Sequence, residues 1–379
     1  RGNGRAARGV PSVRGNSAVR GNTAVRGNTA VRGNTALTRE YFQVPVAEVV
    51  RETDEACSLV LDVPAPLVPA FSYRPGQFVT VRVPSDLCGS VARCYSLSSS
   101  PVLGERPAIT VKRTEGGYAS NWICDRVRAG TVLDLLPPAG MFSPGSLDGD
   151  FLLFAAGSGI TPVMSILKSA LCAGRGRVVL VYANRDERSV IFGGLLRGLV
   201  SEFAGRLVVV HWLDSLLGVP SAAALAALIR PYAALYPSGD AFICGPDPYL
   251  ALVREALGQL RVAGGRVHVE RFLSLAENPF EAAAVEDGAL AATLSVTLDG
   301  ATTQLSWPAG ARMLDVLIDA GLDAPYSCRQ GICGACACQL TSGKVEMAHN
   351  EVLAEDDLAE GYILACQALA QTSGVSITY

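Results

Sequence analysis

Four cysteines near the C-terminus constrain this chain more than any other feature. Cys328, Cys333 and Cys336 share one short run, Cys328-Arg-Gln-Gly-Ile-Cys333-Gly-Ala-Cys336, and Cys366 answers from further along the chain. This C-x4-C-x2-C…C spacing is the one by which four thiolates hold a [2Fe–2S] cluster, one loop supplying three ligands and a distant residue the fourth. A zinc site would show two C-x2-C pairs, and cysteines that only pack would scatter. The stretch therefore reads as an electron-transfer site. Gly331, Gly334, Ala335 and Ala337 are small, so backbone N–H groups can approach the sulfurs and tune the cluster. Cys338 opens a strand leaving the loop and reads as buried core rather than a ligand. Arg329 and Gln330 are expected to face solvent, where a partner taking the electrons would dock.

Eleven cysteines among 379 residues are too sparse for a disulfide scaffold. Reduced thiolates are needed for a cluster, so a reducing, cytoplasmic setting is expected. At 49% hydrophobic residues the chain can bury two or three cores. A formal net charge of −3 gives no field to draw in nucleic acid or an anionic membrane, and neither is expected as a partner. The most apolar run, Phe151 to Leu167, is broken by Gly157-Ser-Gly-Ile-Thr-Pro162 and reads as strand, loop and helix rather than a membrane span. Residues 1–40 hold a hexapeptide repeat, Val-Arg-Gly-Asn-Ser/Thr-Ala, starting at Val13, Val19, Val25 and Val31. A period of six makes no amphipathic helical stripe, so a low-complexity disordered tail is expected.

From Tyr41 the texture changes. Short alternating runs at Val46–Arg51, Ser58–Val63, Gln77–Val83, Arg93–Ser98, Ala108–Arg113 and Thr131–Leu135 predict six strands of a small antiparallel barrel, with one helix over Tyr118–Val127. Strands at Phe151–Ala155, Arg177–Ala183, Leu207–Trp212, Ala241–Cys244 and Val267–Arg271 then alternate with helices, which predicts a parallel α/β sheet buried on both faces. After an aperiodic stretch, Asp299-Gly300-Ala301 marks a hairpin, and a helix over Arg312–Ala320 precedes the cysteine loop.

Arg93-Cys-Tyr95-Ser96 offers a cation, an aromatic face and a hydroxyl, the groups a flavin needs for its phosphates, its ring and its N5. Alone, the tetrapeptide is equally an ordinary half-buried strand. Gly117-Tyr-Ala-Ser120 opens the barrel's helix and can hold a second phosphate, which favours FAD over FMN. Gly157-Ser-Gly159-Ile-Thr161-Pro162 sits between strand and helix, as a dinucleotide loop does, with Thr161 expected as N-cap. Cys244-Gly245-Pro246 ends a later strand, where open α/β sheets bind ligands, and its thiol can lie beside a nicotinamide. Asp186 can bind ribose hydroxyls while Arg185 and Arg188 can bind a 2′-phosphate, so NADH against NADPH stays open. Glu270, ending the last strand, can reach toward the flavin or simply cap the strand. His211 and His268 lie in apolar strands and read as core.

The order of these motifs resembles the ferredoxin–NADP reductase superfamily carrying a C-terminal ferredoxin domain, over about Tyr41 to Tyr379. Within it the chain is similar to reductase components of bacterial Rieske and related oxygenases. Ala92-Arg-Cys-Tyr-Ser96, Val111-Lys-Arg-Thr114, Gly117-Tyr-Ala-Ser-Asn-Trp122, Tyr182-Ala-Asn-Arg-Asp186 and His211-Trp-Leu look most like the group serving actinobacterial 3-ketosteroid 9α-hydroxylases. The repeat tail at 1–40 departs from the family; beyond it the resemblance implies a multidomain chain, with an antiparallel β-barrel FAD domain at 41–145, an α/β parallel-sheet NAD domain at 146–273, a linker at 274–291 and an α+β β-grasp ferredoxin domain at 292–379. It implies FAD, NADH and a [2Fe–2S] cluster as cofactors and a Rieske-type oxygenase as partner. Arg93, Tyr95, Ser96, Gly117 and Ser120 would hold the flavin. Gly157, Gly159, Thr161, Asp186, Gly245 and Pro246 would hold the nicotinamide cofactor, and Ser96, Cys244 and Glu270 would border the hydride transfer. Cys328, Cys333, Cys336 and Cys366 would bind the cluster. Alternatives are the reductase of a phenylacetyl-CoA epoxidase or other aromatic-degradation oxygenase, and, in a different class, a redox-sensing iron–sulfur protein without turnover.

Overall fold

The computed structural model describes residues 41–235, 237–275, 278–280 and 291–379. The tail expected over 1–40 lies outside the described residues, as do residues 276–277 and 281–290 of the expected linker.

All six strands of the first region form: β1 (Phe42–Thr53), β2 (Ala56–Leu61), β3 (Phe78–Ser85), β4 (Gly89–Ser96), β5 (Ala108–Lys112) and β6 (Val132–Leu135). They make one antiparallel sheet in the order β4-β3-β6-β1-β2-β5, and a bridge from Leu97 to Ile109 brings its two ends together. Alternation explains the curl. Val79, Val81 and Val83 of β3 are fully buried in the interior with Leu59, Leu61 and Leu135, so the intervening residues point out of the barrel. Helix α1 (Tyr118–Arg126) closes one end through Ala119 and Ile123.

The second region is a parallel sheet of β7 (Phe151–Ala156), β8 (Val178–Asn184), β9 (Leu207–Leu213), β10 (Asp240–Cys244) and β11 (Val267–Glu270), ordered β11-β10-β7-β8-β9. Leu153 and Ala155 face a core shared with α2 (Ile160–Ala173) and α3 (Gly193–Glu202). Leu152 and Phe154 face another core, shared with α5 (Ala222–Ile229) and α6 (Asp247–Gln259); the short α4 (Asp214–Leu217) only ends β9. Because β9 and β11 are the edges, the two histidines read as core are not buried. His211 is exposed, and His268 is half-buried, stacked on Phe242 at 4.5 Å.

The third region is a mixed sheet, β13-β12-β18-β14-β16, over α7 (Met313–Asp319). Its strands are β12 (Ala292–Leu298), β13 (Ala301–Trp307), β14 (Ala337–Ser342), β16 (Tyr362–Leu364) and β18 (Gly374–Thr378); β15 (Val345–Met347) pairs with β17 (Ala368–Ala370) beside it, and α8 (Glu355–Ala359) leads into β16. Asp299 and Gly300 both take positive φ, as a two-residue hairpin turn between β12 and β13 requires. Cys338 is buried in β14, within the core of this region. Residues described from the expected linker pack rather than float: Leu275 and Phe280 are buried against Ala92, Leu136 and Cys328, and Asn278 donates to Ser90 Oγ at 2.8 Å.

Candidate functional site

A cavity of about 290 Å³ opens at the end of the barrel, lined by Arg93, Tyr95, Ser96, Gly117 and Ser120 together with Lys112 and Phe272. The first five are the residues expected there from sequence; Lys112 and Phe272 are additions. Strand β4 delivers Arg93 to Ser96, and the N-terminus of α1 faces them. Gly117 is the N-cap of α1, and a Cβ there would collide with Thr114. Ser120 Oγ accepts a hydrogen bond from the Thr114 amide at 3.0 Å, and Asn121 Nδ2 donates to the Gly117 carbonyl at 2.7 Å, so the turn before the helix is held from both sides. Burial pushes the Tyr95 hydroxyl well above its ordinary value and keeps it neutral. A cation, an aromatic ring, a hydroxyl and a helix N-terminus around one cavity fit a flavin dinucleotide.

The nicotinamide motifs meet on the neighbouring sheet. Gly159 packs so tightly on the backbone of Cys244 and Gly245 that a Cβ has no room, and Tyr182 donates its hydroxyl to the Gly157 carbonyl at 3.1 Å. Thr161 is not the N-cap expected of it. The loop winds through a 3₁₀ turn into a helix that starts at Ile160, Gly159 takes the cap position, and Thr161 Oγ1 donates back to the Ser158 carbonyl at 3.1 Å. Asp186 lies just past β8 in a capping box with Ser189 and pairs with Arg185 at 3.3 Å. Arg185 also reaches Glu55, and Arg188 reaches Asp54, both from the barrel's first turn.

Cys244 and Glu270 are register partners on β10 and β11. The thiol is fully buried and held neutral, its pKa raised by desolvation and by the Glu270 charge. Glu270 keeps partial surface exposure, yet the surrounding protein strips enough water to push its carboxyl up to about 8.

The four cysteines expected to bind the cluster form two pairs. Cys328 lies against Cys333, and Cys336 against Cys366. The Gln330 amide points at Cys328 Sγ at 3.3 Å and the Cys366 amide at Cys336 Sγ at 3.5 Å. Among the described residues no group of three or more His, Cys, Asp or Glu side chains is placed to hold a single metal ion. The donor set fits a [2Fe–2S] cluster. Hydrogen bonding from Cys333, aided by backbone amides, holds Cys328 below the usual thiol range, and hydrogen bonding from Cys336 does the same for Cys366. A Cβ at Gly334, which takes positive φ, would meet the Met141 side chain of the flavin-side region. One expectation about this loop fails. Arg329 does not face solvent: it is 5% exposed and paired with Asp315 of α7, while its carbonyl accepts from Gln367 at 2.8 Å. The surface guess failed because the ion partner comes from a helix that nothing in the loop announces.

A narrow cleft connects the two sites, lined by Ser96 and Glu270 together with Cys328 and Cys333. Known proteins share this succession of regions. Residues 43–143 match an oxidoreductase FAD-binding domain, 153–255 an oxidoreductase NAD-binding domain and 296–371 a 2Fe-2S iron-sulfur cluster binding domain. The ferredoxin reductase component of 3-ketosteroid-9-alpha-monooxygenase from Mycobacterium tuberculosis is 54% identical over 345 residues, covering 89% of this chain and 95% of that protein. That of Rhodococcus rhodochrous is 52% identical over 339 residues, covering 88% and 95%. The chain belongs to the ferredoxin reductase components of oxygenase systems. A solved phthalate dioxygenase reductase, 24% identical, shares the fold with a TM-score of 0.51 over 89% of this chain and 98% of that one.

As a member of that family the reductase binds FAD, NAD(H) and a [2Fe–2S] cluster and serves an oxygenase component. Among its described residues no helix is long and apolar enough to cross a membrane. Sequence reasoning missed Lys112 and Phe272, although Val111-Lys-Arg-Thr114 had marked the strand end on which Lys112 sits.

Proposed function

We propose that this chain is the NADH-dependent reductase component of a 3-ketosteroid 9α-monooxygenase, acting on a Rieske-type oxygenase rather than on the steroid. Bound FAD would supply the conversion between a two-electron hydride donor and a one-electron cluster. The chain's own residues supply position and charge. Arg93 and the N-terminus of α1, with Gly117 and Ser120, would hold the flavin phosphates, Tyr95 the ring and Ser96 the edge that receives hydride. Gly157, Gly159, Thr161, Gly245 and Pro246 would hold the nicotinamide dinucleotide with Asp186 on its ribose, leaving Cys244 and Glu270 beside the transferring atom. Cys328, Cys333, Cys336 and Cys366 would hold the cluster. We assign the FAD unit to 41–145, the NAD unit to 146–273 and the ferredoxin unit to 292–379.

The observation that carries this reading is the shared cleft, lined by Ser96, Glu270, Cys328 and Cys333 together. A sensor without turnover has no use for a hydride site opening onto its cluster. Purified holoprotein mixed with NADH should reduce both ferricyanide and cytochrome c. Cys336→Ser should spare the first, which can draw on the flavin, and abolish the second. Absence of NADH oxidation in the wild type would sink the reductase reading. Product formation with a 3-ketosteroid 9α-monooxygenase oxygenase component, and none with an epoxidase, is the outcome expected for the partner.

A further inference from the structure

We propose that Thr80 and Ser327 are positioning residues for electron transfer between the flavin and the cluster, and that their hydroxyl–hydroxyl hydrogen bond pins the cluster loop to the flavin-bearing strands. The proposal rests on the reductase reading above and adds to it how the two centres are held in reach.

The two residues are 247 positions apart in sequence, yet Thr80 Oγ1 and Ser327 Oγ lie 2.7 Å apart. Thr80 is 0% exposed and Ser327 is 1% exposed. Neither hydroxyl belongs to the flavin cavity or to the cluster ligands, but each is one step from such a residue. Ser327 directly precedes Cys328. Thr80 pairs in register with Cys94, between Arg93 and Tyr95, and its hydroxyl also contacts Cys94 Sγ at 3.4 Å.

Strand alternation shows why Thr80 needs such a partner. Val79, Val81 and Val83 fill the barrel, which turns Phe78 and Thr80, with Cys94 and Ser96 opposite them, to the outer face. That face meets the cysteine loop: Phe78, Cys94 and Ser96 line the cleft with Cys328 and Cys333. Around the hydroxyl pair the contact is apolar, made by Ala92, Leu136, Leu275, Phe280 and Ile332. Apolar packing tolerates sliding. A hydrogen bond shut inside it does not, because a shift strands the buried Ser327 hydroxyl and leaves Thr80 only its weaker sulfur contact. The Thr80 carbonyl accepts from Leu136 at 3.0 Å, so the barrel side of the bond is itself fixed. Each transfer moves one electron from reduced flavin to oxidised cluster, and its rate depends on a separation that this bond sets.

Thr80→Val and Ser327→Ala test the idea, with Thr80→Ser as the conservative control. In holoprotein, Thr80→Val should leave the flavin and cluster absorption, the cluster's paramagnetic signal on reduction and NADH–ferricyanide turnover as in the wild type. Single-turnover reduction of the cluster by the flavin should slow by on the order of 10-fold. Amide hydrogen exchange over residues 325–335 should quicken in Thr80→Val and Ser327→Ala, and Thr80→Ser should restore both rate and protection. Wild-type inter-centre rate and exchange in Thr80→Val would overturn the proposal, as would an equal defect in Thr80→Ser. Loss of the cluster from Ser327→Ala would make the bond structural and overturn it too. A wild type that never reduces cytochrome c would instead refute the reductase reading, while hydrogen exchange would still decide whether the loop is pinned.

Discussion

Glu270 is a carboxyl whose environment changes its chemistry from that in water. Burial raises its carboxyl from 4.5 to about 8, so at neutral pH it is protonated and adds no negative charge to the cleft. Above about pH 8 it ionises, and a carboxylate in the place proposed for it beside the flavin opposes the build-up of electrons there. Flavin reduction by NADH should therefore fall through that range, and Glu270→Gln, neutral at every pH, should remove the fall; stopped-flow rates against pH decide it. The stability consequence has a definite sign. The folded state holds a proton that the unfolded chain releases near 4.5, so this group's contribution to stability declines as pH rises from 4.5 to about 8 and is level above. Denaturant melts of Glu270→Gln should lack that slope. The position of Glu270 at a strand end was readable in sequence. Its protonation was not, because the raised pKa comes from cleft walls contributed by distant segments.

At the scale of elements, the contact of the α2 entry with the end of β10 shapes the proposed nicotinamide site. Gly159 lies against the carbonyl of Cys244, a fully buried residue at the end of a central strand that cannot retreat. Gly159→Ala should overpack the site, cost about 1–3 kcal/mol of stability and raise the KM for NADH. Thermal melts and NADH titration check it; an unchanged KM would mean that the loop does not meet the cofactor. This element also shows where sequence stops informing. Hydrophobic alternation found every barrel strand and the parallel strands, since burial on one or both faces is a local pattern. α2 starts at Ile160, two residues before the Pro162 that a Thr161 N-cap predicts, because a 3₁₀ turn leaves no periodic signature. His211 and His268 were misjudged because edge position in a sheet belongs to topology, and apolar neighbours in a strand do not report it. For Arg329 the fault was similar: its burial follows from Asp315 on α7, 14 positions away.

Across the whole molecule, hydride transfer requires the flavin and nicotinamide regions to keep one orientation, and the structure holds them through a polar latch under the surface. Lys168 of α2 is only 8% exposed, and its ammonium donates to Glu105 Oε2 at 2.5 Å across the boundary. The same carboxylate accepts from the Ser100 amide at 2.6 Å. Beside it, Ser165 Oγ donates to the Ser99 carbonyl at 2.6 Å, and Ser100 and Ser169 share a hydroxyl bond of 2.7 Å. A buried lysine is costly to desolvate, so the latch adds less to net stability than to uniqueness of orientation. Lys168→Met should leave Glu105 partly buried without its cation and cost about 1–3 kcal/mol, discounted from a fully buried pair because Glu105 retains 35% exposure. Flavin reduction by NADH should slow while the cluster absorption stays as in the wild type, since the ferredoxin region takes no part in this contact. In the double variant with Glu105→Gln the stability loss should be smaller than the sum of the single losses, because the second change removes the stranded charge. Strictly additive losses in denaturant melts would mean that the pair is not coupled and that the serine contacts alone set the orientation.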